Sequence, residues 1–135
     1  MTPEAAEQAA KIFLQCRDQG DKIDQLPNAC RPVTSEDGYE IQKAFLKLDG
    51  AFAMGWKGAA TNEKTQAMLG ISKPFAGLLP NTALSLSPID IPAGTFVNPS
   101  LEGEFAVLLG GDLPKTTEPY DAESAMEAVA AVIPA

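Results

Sequence analysis

Two glutamates separated by one residue, Glu102 and Glu104, are the residues of this chain best suited to chemistry. They lie near the start of residues 99–110, a stretch bounded by Pro and Gly and rich in Phe, Val and Leu, which predicts a β-strand. Residues i and i+2 of a strand share one face, with Cα atoms about 6.5 to 7 Å apart. Two carboxylates at this spacing can converge on one hard divalent cation, which offsets their mutual repulsion and lost hydration. The alternative is a pair of solvated acids at the frayed start of a strand.

The predicted strand is mostly apolar on both faces. Ala106 and Leu108 follow the glutamates on one face, whereas Phe105 and Val107 occupy the other. This pattern is typical of a strand that is covered on both sides. Gly103, between the two acids, favours the metal interpretation, because a glycine in a strand often marks the close approach of a ligand or another backbone.

The composition excludes several classes of function. The chain has 135 residues and a net charge of −8, which argues against nucleic-acid binding through a broad basic surface. No apolar run approaches the roughly 20 residues needed to span a membrane, and we see no signal peptide. The chain contains no histidine, which excludes Ser-His-Asp catalysis, Cys-His catalysis and His-based zinc sites. Cys16 and Cys30 are expected to be free thiols in a cytoplasmic protein.

Capping signals and hydrophobic spacing predict an α+β chain. Helices are expected at residues 2–19, 36–48, 63–69 and 122–130. Short strands are expected at residues 76–79 and 129–133, and a further strand runs through Met54 into a glycine-flanked turn that carries Trp56 and Lys57. The sequence stops at Ala135 as an apolar strand begins, so we expect a larger fold that has been cut. The alternative is a packed hydrophobic tail.

Five colinear segments resemble one enzyme family. They are Arg31-Pro32-x6-Tyr39-x-Ile41-Gln42, Gly55-Trp56-Lys57-x-Ala59-Ala60-Thr61, Gln66-x2-Leu69-Gly70, Pro74-x2-Gly77-x-Leu79 and Glu102-x-Glu104-x-Ala106-x2-Leu109-Gly110-x-Asp112-Leu113-Pro114. Together they resemble the N-terminal half of the 2-keto-4-pentenoate hydratase and 4-oxalocrotonate decarboxylase family, within the fumarylacetoacetate hydrolase superfamily. The resemblance implies an N-terminal helical region at residues 1–70. Residues 71–135 would then form part of a mixed β-roll, which carries the Glu-x-Glu strand.

The resemblance also implies a site. Glu102 and Glu104 match metal ligands for Mg²⁺ or Mn²⁺, and the third carboxylate ligand of the family lies beyond the end of this chain. Lys57 matches a lysine near the substrate, where it would hold a carboxylate or move a proton if burial lowers its pKa. The alternative for Lys57 is a surface lysine beside a core tryptophan. Many relatives carry acids at three positions where this chain has Ser72, Lys73 and Asn81. The identity of the substrate is therefore open.

The implied reaction is hydration of a small 2-oxo (enol) acid such as 2-hydroxypenta-2,4-dienoate. The metal would polarise the 2-oxo group, and water would add to the protonated dienol to give a 4-hydroxy-2-oxo acid. Two other hypotheses stay open. The chain could be a non-catalytic truncated relative that forms homo-oligomers through uncovered strands, or an unrelated α+β protein whose motif matches are coincidental.

Overall fold

The computed structural model describes all residues, from Met1 to Ala135, and shows an α+β protein, as predicted. Its elements are α1 (Pro3–Gln19), α2 (Ser35–Leu48), β1 (Ala53–Ala59), α3 (Glu63–Leu69), β2 (Phe75–Pro80), a 3₁₀ helix (Asn81–Ala83), β3 (Phe105–Leu109), α4 (Ala122–Met126) and β4 (Val129–Pro134). β1 pairs with β2 and β3 with β4, in two antiparallel sheets of two strands. The chain divides into two units, Met1–Val97 and Asn98–Ala135. The division into functional regions at residues 1–70 and 71–135 stays a prediction.

Each α-helix begins at a side-chain cap, because the first backbone N–H groups of a helix have no partner within it. The cap residues are Thr2, Thr34, Asn62 and Asp121. Gly20 and Gly70 end α1 and α3 in the left-handed region, each with a φ of 67°. None of these helices is long and apolar enough to cross a lipid bilayer.

The core of the first unit lies between α1 and α2. Ala6, Ala9 and Ala10 are buried on α1, and these small side chains let Ile41 of α2 pack closely. The segment between the two helices adds Leu26 and Cys30, a thiol that is only 1% exposed and is free, like Cys16. Helix packing therefore holds the N-terminal region together.

The prediction of a turn at Trp56 and Lys57 was wrong, because β1 continues through both residues to Ala59. Trp56 lies opposite Leu78, and Lys57 lies opposite Gly77. Gly55 and Gly58 suggested a turn, but pairing with a strand some 20 residues along the chain keeps the backbone extended. The alternative for Lys57 was a surface lysine beside a core tryptophan. Trp56 is 61% exposed, so it is not a core residue.

The strand predicted at residues 99–110 is shorter and less covered than expected. β3 begins at Phe105, and Glu104 extends its ladder through two 2.9 Å backbone hydrogen bonds with Ala135. Pro99 and Gly103 are poor strand residues, which fits an irregular approach to the sheet. The expectation that both faces are covered was wrong, since Phe105 and Val107 on one face are 82% and 55% exposed, and Leu108 on the other face is 56% exposed.

Candidate functional site

Lys57 lies in the middle of β1, exposed to solvent, on a face with small neighbours. Residues two apart on β1 share that face, so Gly55 and Ala59 flank Lys57, and its cross-strand partner is Gly77. A Cβ atom built on Gly77 would meet no heavy atom within 4 Å. The strand face beside the Lys57 stem is therefore open at Gly77.

The outer edge of β2 is held by side chains of α2. Gln42 Oε1 accepts a hydrogen bond from the backbone N–H of Leu78 at 2.7 Å, and Gln42 Nε2 donates to the Ala76 carbonyl at 3.2 Å. The Tyr39 hydroxyl accepts from the Ala76 N–H at 3.3 Å. Because β2 pairs with β1, these bonds also fix the strand that carries Lys57. Sequence reasoning missed this role, although Tyr39 and Gln42 stand in the first matching segment.

The chain turns sharply after β1. Ala60 is buried and has a positive φ of 54°, a conformation that is costly for a residue with a Cβ atom. Gln66 Nε2 donates to the Ala60 carbonyl at 2.8 Å, and Asn62 Oδ1 accepts from the Thr65 N–H at 2.9 Å. The third matching segment, which begins at Gln66, thus has a structural role at the end of the Lys57 strand.

The entry to α2 is stabilised by Asp37, which is 9% exposed. Its Oδ2 accepts from the N–H groups of Val33 at 2.9 Å and Thr34 at 3.1 Å, and its Oδ1 pairs with the Met1 amino group. The amino group and then these two N–H donors lower the pKa of Asp37 to about 2, because each favours the ionised carboxylate. Arg31, two residues before Val33, donates from Nε and a terminal nitrogen to the Leu26 carbonyl, at 3.0 and 2.7 Å.

A groove of ≈ 690 Å³ lies beside α2 in the first unit. Its lining includes Ser35 and Tyr39 from the helix, together with Ser72, Lys73 and Phe75 from the segment that leads into β2. Hydroxyl groups and one ammonium group suit a small anion, but Tyr39 is already engaged by β2. Sequence reasoning could not find this groove, because only folding brings residues so far apart in the chain together.

Glu102 and Glu104 lie at the entrance to β3, in the second unit, and both are exposed. The backbone of Glu104 is fixed by its two hydrogen bonds with Ala135, whereas Glu102 precedes the ladder. Lys57 belongs to the first unit. That Lys57 and the two glutamates act in one site stays a prediction.

The donor chemistry of Glu102 and Glu104 fits a hard divalent cation, because Mg²⁺ and Mn²⁺ take carboxylate oxygens. The chain contains no group of three or more His, Cys, Asp or Glu residues arranged to hold a metal ion. The two glutamates would therefore supply only part of the six or so oxygens that such an ion requires.

Comparison with known proteins supports the resemblance. No protein-family model matches the chain. A curated protein of Paraburkholderia xenovorans (strain LB400), named 2-keto-4-pentenoate hydratase, is 29% identical over 138 residues, a match that covers 100% of this chain and 51% of that protein. A protein of Pseudomonas putida named 2-keto-4-pentenoate hydratase 3 matches to the same extent. The chain is thus similar along its whole length to two hydratases and spans about half the length of these curated relatives.

Proposed function

We propose that this chain carries part of the active site of a metal-dependent hydratase that acts on small 2-oxo (enol) acids such as 2-hydroxypenta-2,4-dienoate. The observation that carries the proposal is the similarity of the entire chain to two proteins named 2-keto-4-pentenoate hydratase. The Glu102-x-Glu104 pair and the open face around Lys57 are the features of the chain that suit such a substrate.

Glu102 and Glu104 are the proposed metal ligands. A bound Mg²⁺ or Mn²⁺ would act as a Lewis acid toward the 2-oxo group and stabilise negative charge on its oxygen. Two hydrogen bonds with Ala135 fix the backbone of Glu104. Of the two carboxylates, that of Glu104 is therefore the more firmly placed to bind a metal ion. Further oxygen ligands must come from residues other than these two or from water, so we expect the chain alone to bind the ion weakly.

Lys57 is the proposed substrate-binding residue. Lys57 is exposed, its neighbours on the strand face (Gly55, Ala59 and Gly77) are small, and an ammonium group forms charge-assisted hydrogen bonds with a carboxylate such as the C1 group of the substrate. Fixing the carboxylate orients the carbon chain, so that one face of the double bond is presented to water. The product of the addition is a 4-hydroxy-2-oxo acid.

Paramagnetic line broadening tests the metal site directly. Mn²⁺ titrated into ¹⁵N-labelled protein should broaden the amide signals of Glu102, Gly103 and Glu104 before others, because the effect falls steeply with distance from the ion. Glu102→Gln should abolish this selective broadening, while Glu118→Gln, which changes an exposed acid of the same unit, should leave it intact. Broadening spread evenly over the acidic residues would refute the metal assignment.

Turnover tests the reaction. Hydration of 2-hydroxypenta-2,4-dienoate removes its conjugated diene, so ultraviolet absorbance follows the reaction. If the chain is active, Lys57→Ala and Glu102→Gln should each abolish activity. Lys64→Ala, which changes another lysine on the nearby helix α3, should not. Activity that survives in Glu102→Gln and without added metal would overturn the proposed mechanism.

A further inference from the structure

The groove of ≈ 690 Å³ beside α2, here called the Lys73 groove, plays no part in the proposed hydratase site. Neither Lys57 nor the two glutamates line it. It lies wholly in the first unit, where the first turns of α2 face the segment that leads from α3 into β2. Small-molecule sites in proteins commonly have volumes of about 300 to 1,000 Å³. The groove is therefore large enough for a small organic molecule.

The polar side chains of the groove offer hydrogen-bond donors from both of its sides. The Tyr39 oxygen accepts from the Ala76 N–H at 3.3 Å, which leaves the hydroxyl hydrogen to donate to another acceptor. Ser35 and Ser72 each add a hydroxyl group, and Lys73 adds an ammonium group with three donors. A carboxylate has only acceptors and matches this set.

The charge of the groove favours an anion. Lys73 is the only charged residue of the lining, in a chain whose net charge is −8. Hydrogen bonds from its own backbone N–H and from Thr34 lower the pKa of Glu36, and Lys73 lowers it further. Glu36 is exposed and lies outside the lining, but its carboxylate is within electrostatic reach of Lys73. A bound anion therefore competes with Glu36, and one ammonium group balances a single negative charge.

The remaining lining is largely apolar. Ile71, Pro74 and Phe75 border the groove, and Ile71 and Phe75 are 36% and 45% exposed. An apolar ligand body that covers these side chains removes their surface from water, which favours binding. Inorganic phosphate has no such body and carries more charge than Lys73 can balance. The lining therefore suits an organic anion of charge −1.

We infer that the Lys73 groove is a binding site for a small organic monocarboxylate with an apolar body, such as an aromatic acid. The carboxylate accepts charge-assisted hydrogen bonds from Lys73, and hydrogen bonds from the hydroxyl groups of the lining. The apolar body covers Ile71 and Phe75. The inference does not depend on the proposed function, because it uses neither the metal ligands nor Lys57.

NMR titration of the ¹⁵N-labelled full chain with sodium benzoate tests the inference. We expect saturable shifts of the amide signals of Tyr39, Ser72 and Lys73. The dissociation constant should lie in the millimolar range, because the site is open to solvent and supplies one ammonium group. Benzamide keeps the ring but has no charge, so it should bind roughly fivefold more weakly. NaCl at the same concentrations should give no saturable shift.

Two charge variants locate the bound anion. Lys73→Gln should weaken benzoate binding roughly fivefold, because it removes the positive charge of the groove. Lys64→Gln is the matched control, since Lys64 is also exposed but lies on α3 outside the lining, and it should leave binding unchanged. Glu36→Gln should strengthen binding, because it removes the competing carboxylate. All three side chains are exposed, so the variants should keep the fold, which their amide spectra will show.

Four results would each overturn the inference. They are the absence of saturable shifts in the groove, equal binding of benzamide and benzoate, unchanged binding in Lys73→Gln, and weaker binding in Glu36→Gln. Benzoate-dependent shifts confined to the amides of Gly55 and Lys57 would also overturn it. That last result would support the proposed role of Lys57 in binding a carboxylate, so the two proposals fail independently.

Discussion

The side-chain amide of Gln42 occupies the hydrogen-bonding position of a missing strand beside Leu78. It accepts from the Leu78 N–H at 2.7 Å and donates to the Ala76 carbonyl at 3.2 Å, as a neighbouring strand would. One helical residue thereby satisfies two backbone groups at an edge of the β1–β2 sheet. The same contact connects the helical core to β2, the strand that pairs with the Lys57 strand.

Replacing Gln42 with leucine should destabilise the first unit by about 2 kcal/mol, because two hydrogen bonds are lost and two backbone groups lose their partners. Trp56, the only tryptophan, lies on β1 and reports the transition by its fluorescence during urea unfolding. Gln8→Leu is the control, since Gln8 is exposed on α1. Equal midpoints for the two variants would contradict the role of Gln42.

Asp37 should make the stability of the first unit depend on pH under acidic conditions. Its folded pKa of about 2 lies below the ordinary aspartate value of about 3.9. The stabilisation is therefore fully present above about pH 4 and is lost as the pH falls through about 2. In Asp37→Asn, the free energy of unfolding should depend less on pH over this range. Asp90→Asn, which changes an exposed aspartate, should leave that pH dependence unchanged. Parallel pH curves for the wild type and Asp37→Asn would disprove the assignment.

Arg17 and Asp49 form an ion pair between α1 and the end of α2, with 2.5 Å between the guanidinium nitrogen and the carboxylate oxygen. The guanidinium group also lies 5.2 Å from the centre of the Phe45 ring. Asp49 raises the pKa of Arg17, and Arg17 lowers the pKa of Asp49, as expected for opposite charges in contact.

A double-mutant cycle with alanine at Arg17 and Asp49 should give a coupling energy of about 0.5 to 1 kcal/mol, reduced at high salt. The exposed Lys11–Glu7 pair within α1 serves for comparison and should give a smaller coupling energy, because solvent screens exposed charges. A coupling energy of zero between Arg17 and Asp49 would show that this contact between helices contributes nothing to stability.

Two glycine-to-alanine changes should act in opposite directions. Gly77→Ala should raise stability by about 0.5 kcal/mol, because the new methyl group meets open space and a strand glycine costs backbone entropy. Gly20→Ala should lower stability by about 1 kcal/mol, since Gly20 ends α1 at a φ of 67°. Thermal unfolding measures both. If Lys57 binds substrate as proposed, Gly77→Ala should also weaken binding, because it fills the open face.

Local signals in the sequence predicted the helices well. The predicted helix starts lie within one residue of the observed ones, because the capping bonds of residues such as Thr2, Thr34 and Asp121 are made within a few residues of the chain. α4 ends at Met126 rather than residue 130, since the following residues pair with β3. The predicted helix at residues 122–130 and the predicted strand at residues 129–133 overlapped, and the structure places Val129 and Ala130 in the strand.

The strands and the site were harder to predict. The glycines around Trp56 and Lys57 indicate a turn when they are read alone, and only pairing with β2 makes the segment a strand. Sequence alone also found Lys57 as a candidate while missing Gln42, whose partners Ala76 and Leu78 lie more than 30 residues away. Spacing identifies chemical groups, but tertiary hydrogen bonds decide how they are held.

The complete burial of Cys30 makes its thiol a built-in probe of local opening of the helical core. A thiol that is 1% exposed and packed between the helices can meet an alkylating reagent only when the core opens. Cys16 is partly accessible and would react first, so it provides a reference in the same molecule. The difference between the labelling rates of Cys16 and Cys30 would measure how often the helical core opens, without any engineered probe.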